Sequence, residues 1–269
     1  MAESIECGAD YAAMLSSLRK PLGLDRRHCA AVLRHGEYQL IQTEAVEGTP
    51  DEVRDILRWK LKDQVEFPVD AATVDFLPIP AGGRTPQVFA AIAAEAVVKP
   101  LVQAFQAARV PLAVIDLPEL SQRNLAVLFE EPGRALAALV FDDLEGLLTF
   151  TVDGELLVVR HVEVSARQIM AADAERRNAL FDRIALDVQR SLDNFDRLYS
   201  AIPLSCLRVA TLPGVDGFVD YLRDNLTVPV AAMDLGRVLD LGAVPALLDP
   251  VRQFQCLRGI GAALRDAAA

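Results

Sequence analysis

The order of elements in the second half of the chain constrains the fold more than any other feature. Ala135–Phe141 is an unbroken apolar run of strand length. Leu147–Val152 and Glu155–Val164 are two further strand-like runs. Asp153-Gly154 between them suits a type I′ hairpin turn, which needs positive φ at both central residues. Ala172–Ser200 then carries Phe181, Ile184, Val188, Leu192, Phe195 and Tyr199 at helical spacing, which predicts one long helix. A strand over Leu207–Thr211, a helix over Gly217–Leu226, a strand over Val228–Met233 and one or two helices over Val244–Arg265 complete the series. Three strands followed by alternating helix and strand describe an α/β unit.

The first half ends in a similar way. Val97–Ala108 reads as a helix, Leu112–Asp116 as a strand and Pro118–Phe129 as a helix. Ahead of these come an amphipathic helix over Tyr11–Leu18, a buried strand over Cys29–Leu33 and an alternating strand over Tyr38–Glu44. Thr49-Pro50-Asp51-Glu52 is a helix start: Thr49 caps, Pro50 fits the first helical position and Glu52 completes a capping box. The helix that follows is expected to bury Val53, Ile56, Leu57, Leu61 and Gln64, to carry Arg54, Arg58 and Lys62 on its other side, and to end at Phe67-Pro68. Strands over Ala72–Pro78 and Gln87–Ala94 flank a turn at Gly82-Gly83. Glu130-Glu131-Pro132-Gly133 is the clearest linker. Two comparable α/β halves joined by a short linker suggest a duplicated fold rather than a solenoid. The expected lobes are 1–131, with an inserted subdomain at about 36–82, and 132–269.

Composition narrows the function. Hydrophobic residues make up 52% of the 269 residues, enough to build two cores. The net charge of −11 repels phosphate backbones and anionic lipid, so neither nucleic acid nor a membrane surface is an expected partner. No apolar run approaches the ~20 residues needed to span a bilayer, and Val88–Val98 contains Glu95. Met1-Ala2-Glu3-Ser4 has neither the basic region nor the apolar core of a signal peptide. Cys7, Cys29, Cys206 and Cys256 form no CxxC pair and read as reduced core thiols.

Several segments resemble a known family. Asp51–Asp75, with Trp59, Asp63, Phe67-Pro68 and Asp70, is similar to the corresponding stretch of the MshI family of mannose-sensitive haemagglutinin (type IV) pilus biogenesis proteins. Val114-Ile115-Asp116-Leu117-Pro118-Glu119-Leu120 and Arg123-Asn124-Leu125 resemble the same family. Asp187–Asp193 and Gly259–Arg265 also resemble the wider PilM family, which shares an actin-like fold with the cytoplasmic part of the type II secretion protein GspL. The resemblance implies an α/β, actin-like fold of two RNase H-like lobes. It further implies a cytoplasmic scaffold at the inner-membrane base of a pilus machine. Such a scaffold holds the cytoplasmic tail of a bitopic, PilN-like membrane protein and meets other platform components. Because the sequence reaches its first helix near Ala9 or Tyr11, the first lobe is expected to lack its N-terminal strands.

Chemistry is sparse. Actin-like nucleotide sites use two glycine-containing hairpin turns, whose backbone N–H groups approach phosphate oxygens. The second turn falls at Asp142-Asp143-Leu144-Glu145-Gly146, where three carboxylates repel a phosphate. The adenosine-side glycine pair is reduced to Gly214 in Leu212-Pro213-Gly214, and Pro213 has no N–H. Asp142, Asp143, Gly146 and Gly214 therefore read as vestigial nucleotide positions. The expectation is a pseudo-ATPase with no cofactor and no catalytic residue. The alternative is a nucleotide-operated switch using ATP and Mg²⁺. An unrelated α/β enzyme is a third reading. His28, His35 and His161 are not at metal-ligand spacing, and no phosphate-loop, dinucleotide or nucleophile-elbow motif occurs. Trp59, the only tryptophan, lies opposite the apolar stripe of its helix. With Arg58 it is the expected partner contact, unless a neighbouring loop shields the ring.

Overall fold

The computed structural model describes residues 10–80 and 85–265. Cys7 and the expected Gly82-Gly83 turn lie outside the described residues. Those up to Pro118 form one compact unit, and those from Glu119 form another. The division falls at the start of helix α4, ahead of the Glu130–Gly133 segment.

The first unit runs α1 (Tyr11–Arg19), β1 (Cys29–Val32), β2 (Gln39–Glu44), α2 (Pro50–Lys60), β3 (Ala72–Ile79), β4 (Gln87–Ala94), α3 (Glu95–Ala108) and β5 (Leu112–Asp116). Asp10 caps α1, accepting the Ala13 N–H at 2.9 Å. β1 pairs in parallel with β5, and the two form a sheet of their own. Leu15 of α1 and Phe105 and Ala108 of α3 bury a small core on which Cys29 and Ala31 of β1 pack. The sequence suggests a buried β1, yet all four of its residues are partly or fully exposed. The reason is topological: β1 has a strand on one side only. Among the described residues, no strand precedes α1.

β2, β4 and β3 make a separate antiparallel sheet in that order, covered by α2. The inserted subdomain therefore extends through β4. Val53, Leu57 and Leu61 are buried, whereas Ile56 and Gln64 face solvent. Helical hydrogen bonding stops at Lys60, short of Phe67, because Val65 and Phe67 reach the same core from the non-helical segment beyond.

The second unit contains α4 (Pro118–Val127), β6 (Ala135–Phe141), β7 (Gly146–Val152), β8 (Glu155–Val162), α5 (Ala166–Ala171), α6 (Ala174–Leu198), β9 (Leu204–Val209), α7 (Phe218–Asn225), β10 (Val230–Ala232) and α8 (Pro250–Ala263). The sheet order is β10-β9-β6-β7-β8, with an antiparallel β6–β7–β8 meander and β6, β9 and β10 parallel. This is the strand order of an RNase H-like half. Asp153 and Gly154 have φ of 48° and 83°, as a type I′ turn requires. The linker is tied to that turn: the Gly133 N–H donates to Asp153 Oδ1 and the Gly154 N–H to Glu130 Oε2, each at 2.8 Å. The long helix expected from Ala172 is divided instead. Asp173 accepts the Arg176 N–H at 2.9 Å and starts α6 afresh after α5. The apolar stripe from Phe181 to Phe195 is buried as expected, and the Phe150 and Phe195 rings stack at 4.7 Å.

α4 is fixed to this unit by polar contacts. The Gln122 side-chain amide donates to Ala138 O (2.8 Å), Leu147 O (3.0 Å) and Thr149 Oγ1 (3.1 Å). The Asn124 amide donates to Gly261 O of α8 at 2.9 Å. At this crossing a Cβ on Gly261 would lie 2.1 Å from Ser121 O, so only glycine fits. Gly259, two residues earlier on α8, has nothing within 4 Å of its Cβ direction. Gly261→Ala is expected to lower unfolding free energy by about 3 kcal/mol or more, since backbone must move. Gly259→Ala is expected to raise it by ~0.5–1 kcal/mol through helix propensity. Urea denaturation of both variants checks the pair.

Candidate functional site

β6 and β9 are adjacent and parallel, so the turns that follow them lie on one edge of the sheet, at the carboxyl ends where α/β proteins bind ligands. The structure thus brings Asp142, Asp143 and Gly146 to the same edge as Gly214. What occupies the first turn is its own carboxylate. Asp142 Oδ1 accepts the backbone N–H groups of Leu144 (2.7 Å) and Glu145 (2.8 Å). The Asp142 N–H donates to Glu145 O at 2.9 Å, and the Ala166 N–H donates to Asp142 O at 2.7 Å. Asp142 Oδ2 is paired with the Arg258 guanidinium of α8. Two amides of the kind that cradle a phosphate are therefore already bonded to an anion supplied by the turn.

Gly146 is needed for packing. A Cβ there would lie 2.6 Å from the Phe141 ring and 3.1 Å from Val162. Phe141 meets Phe218 edge-on at 5.8 Å, and Phe218 meets Phe181 at 4.7 Å, so an aromatic cluster fills the space beneath both turns. Tyr221 adds to it, and its hydroxyl bonds to Asp182, a contact that pushes the phenol above its ordinary pKa. Gly214 has φ of +71° with nothing within 4 Å of its Cβ direction, a turn glycine after β9. Asp143 is exposed.

The second set of predicted residues sits on α2. Trp59 is 56% exposed and Ile56 is 44% exposed, so no loop shields the ring and the two form a small apolar patch one helical turn long. Arg58 points elsewhere and pairs with Asp55 at 2.7 Å. At the helix start, the Thr49 N–H and hydroxyl both donate to Glu52, at 2.8 and 2.9 Å, and hold its carboxyl below the usual carboxylate range. Of the cysteines, Cys29, Cys206 and Cys256 are free and half-buried, and burial pushes the Cys29 thiol up.

Sequence reasoning missed Arg258 and Gln122. Arg258 meets a carboxylate 116 residues away, and no local pattern encodes that. Gln122 lies on the helix read simply as Pro118–Phe129, with no motif to set it apart.

The strand order and the two-unit layout define a class, proteins with an actin-like fold. A solved PilM-PilN type IV pilus biogenesis complex contains a chain that is 20% identical, with a TM-score of 0.62 over 93% of this chain and 84% of that one. The cytoplasmic domain of EpsL, an inner-membrane component of the Vibrio cholerae type II secretion system, is 14% identical, with a TM-score of 0.41 over 64% of each chain. A Bacteroides thetaiotaomicron protein with an actin-like ATPase fold is 10% identical, with a TM-score of 0.46 over 92% of this chain and 84% of that one. No protein-family model matches the sequence, and no curated protein sequence matches it. The likeness to the PilM chain shows the fold, as the resemblance implied.

If Gly146 serves packing, Gly146→Ala is expected to destabilise the second unit by ~1–3 kcal/mol. Shortening the opposing ring with Phe141→Leu is expected to recover part of that loss. A double-mutant cycle by urea denaturation measures the coupling; additive effects would show that Phe141 is not what excludes the methyl group.

Proposed function

We propose that this protein is a non-catalytic docking component of a type IV pilus or type II secretion-type assembly platform. It works at the cytoplasmic face of the inner membrane and holds the cytoplasmic segment of a bitopic, PilN-like protein. The observation that carries the reading is the likeness of fold to the PilM chain over 93% of this sequence. The segments similar to the MshI family narrow the proposal to a pilus of the mannose-sensitive haemagglutinin type. No helix among the described residues is long and apolar enough to cross a membrane, which fits a chain that reaches the bilayer through a partner.

The turn after β6 supports the non-catalytic part. A phosphate entering there would have to displace the Asp142 carboxylate from two backbone amides and then lie beside it, Asp143 and Glu145. Unscreened like charges at such distances cost several kcal/mol in a half-buried site. No cofactor is part of the proposed activity.

Trp59 is the proposed anchor, because a large exposed ring gives much contact area for little lost side-chain entropy. Arg58 is held by Asp55 and contributes less. Trp59→Ala with Arg58→Ala should reduce recovery of the inner-membrane pilus components that co-purify with the tagged protein by about tenfold or more. Unchanged co-purification would remove this face from the contact. Failure of the unaltered protein to retain any such component would remove the platform role.

A further inference from the structure

The sheet of the first unit ends where that of the second continues. In the second unit, β9 has β10 on one side and β6 on the other, both parallel to it. Helices α6 and α7 precede and follow β9 and pack on each other. In the first unit, β1 and β5 repeat β9 and β10, and α1 and α3 repeat α6 and α7. No counterpart of β6 lies beside β1 among the described residues.

The edge thus left is chemically open. The Cys29 N–H donates to Pro111 O (3.2 Å) and the Leu33 N–H to Asp116 O (3.0 Å). In a parallel ladder the bonding residues alternate, so Cys29, Ala31 and Leu33 face β5. Ala30 and Val32 direct their N–H and C=O groups away from it. Cys29-Ala30-Ala31-Val32 carries no charge and no proline, the usual devices that blunt an edge. A groove of about 610 Å³ runs beside the strand, between α1 and α3. Leu15, Ala31, Leu33, Leu101 and Phe105 line it. At its mouth Arg34 donates to the Tyr11 hydroxyl at 2.6 Å.

The other half of the same chain shows what such an edge accepts. β6 lies on the β9 edge in parallel, and all seven of its residues are buried and uncharged. We propose that the β1 edge and its groove form a strand-acceptor site for an extended, uncharged, apolar segment donated by another protein and paired in parallel with β1. Backbone bonds to Ala30 and Val32 give the affinity, and every second side chain of the donor fills the groove. This site is separate from the α2 patch and does not depend on the pilus reading.

The test is amide hydrogen exchange on the full chain, with a synthetic peptide copying Arg134–Phe141 and carrying terminal lysines for solubility. Without peptide, Ala30 and Val32 should exchange faster than Ala31 and Leu33. With peptide, Ala30 and Val32 should slow by about tenfold or more. The same peptide N-methylated at alternate residues should give no protection, a control that leaves the protein unaltered. Ala30→Pro removes an outward N–H without touching the bonds to β5, and should weaken binding about tenfold or more. No protection at millimolar peptide, or equal protection by the N-methylated peptide, overturns the proposal. So does slow exchange at Ala30 and Val32 without peptide, which would mean that the chain itself or a second copy closes the edge; light scattering separates those two.

Discussion

The second unit depends on one strand. β6 pairs with β7 on one side and β9 on the other, and its seven residues are inaccessible to solvent. A strand buried on both faces and both edges must be apolar throughout, since any polar side chain there would need an internal partner. Its main chain also receives the one side chain that ties α4 to the sheet, through the bond from Gln122 to Ala138 O. Removing a partner from such a contact leaves buried acceptors unsatisfied, at ~1–3 kcal/mol each. The position of the turn after β6, and hence of Asp142, follows from that fixed strand.

From that position the chemistry of the turn follows. A hairpin between β6 and β7 exposes backbone N–H groups at the carboxyl edge of the sheet. In this chain Asp142 folds back to accept two of them, and Arg258 balances the remaining charge. The same backbone geometry that could receive a phosphate is stabilised by an internal carboxylate. Gly146 persists because the Phe141 ring leaves no room for a methyl group. A glycine in the right place is thus not by itself a sign of a nucleotide site.

Much of the fold was legible because it is written locally. The Asp153-Gly154 turn, the apolar run of β6 and the stripe from Phe181 to Phe195 each carry their own periodicity or turn chemistry. The order of these elements then implied the sheet order. Features set by distant partners were not legible. The break before α6 depends on Asp173 finding the Arg176 amide in place of a continued helix. The exposure of β1 depends on which strands lie beside it, and its apolar sequence reads the same in either case. Ile56 satisfies the helical pattern of α2 but falls at the edge of the stripe, so it faces solvent beside Trp59. At the candidate site, Asp142, Asp143, Gly146 and Gly214 could be located from spacing alone, whereas the hydrogen bonds that explain them could not.

The central claim is that the turn after β6 is closed by its own carboxylate and receives no nucleotide. Isothermal titration of the full-length protein with ATP and Mg²⁺ tests it most directly. The account predicts no binding heat up to millimolar ATP. A saturable heat with a micromolar Kd would contradict it, and would make the protein a nucleotide-operated switch.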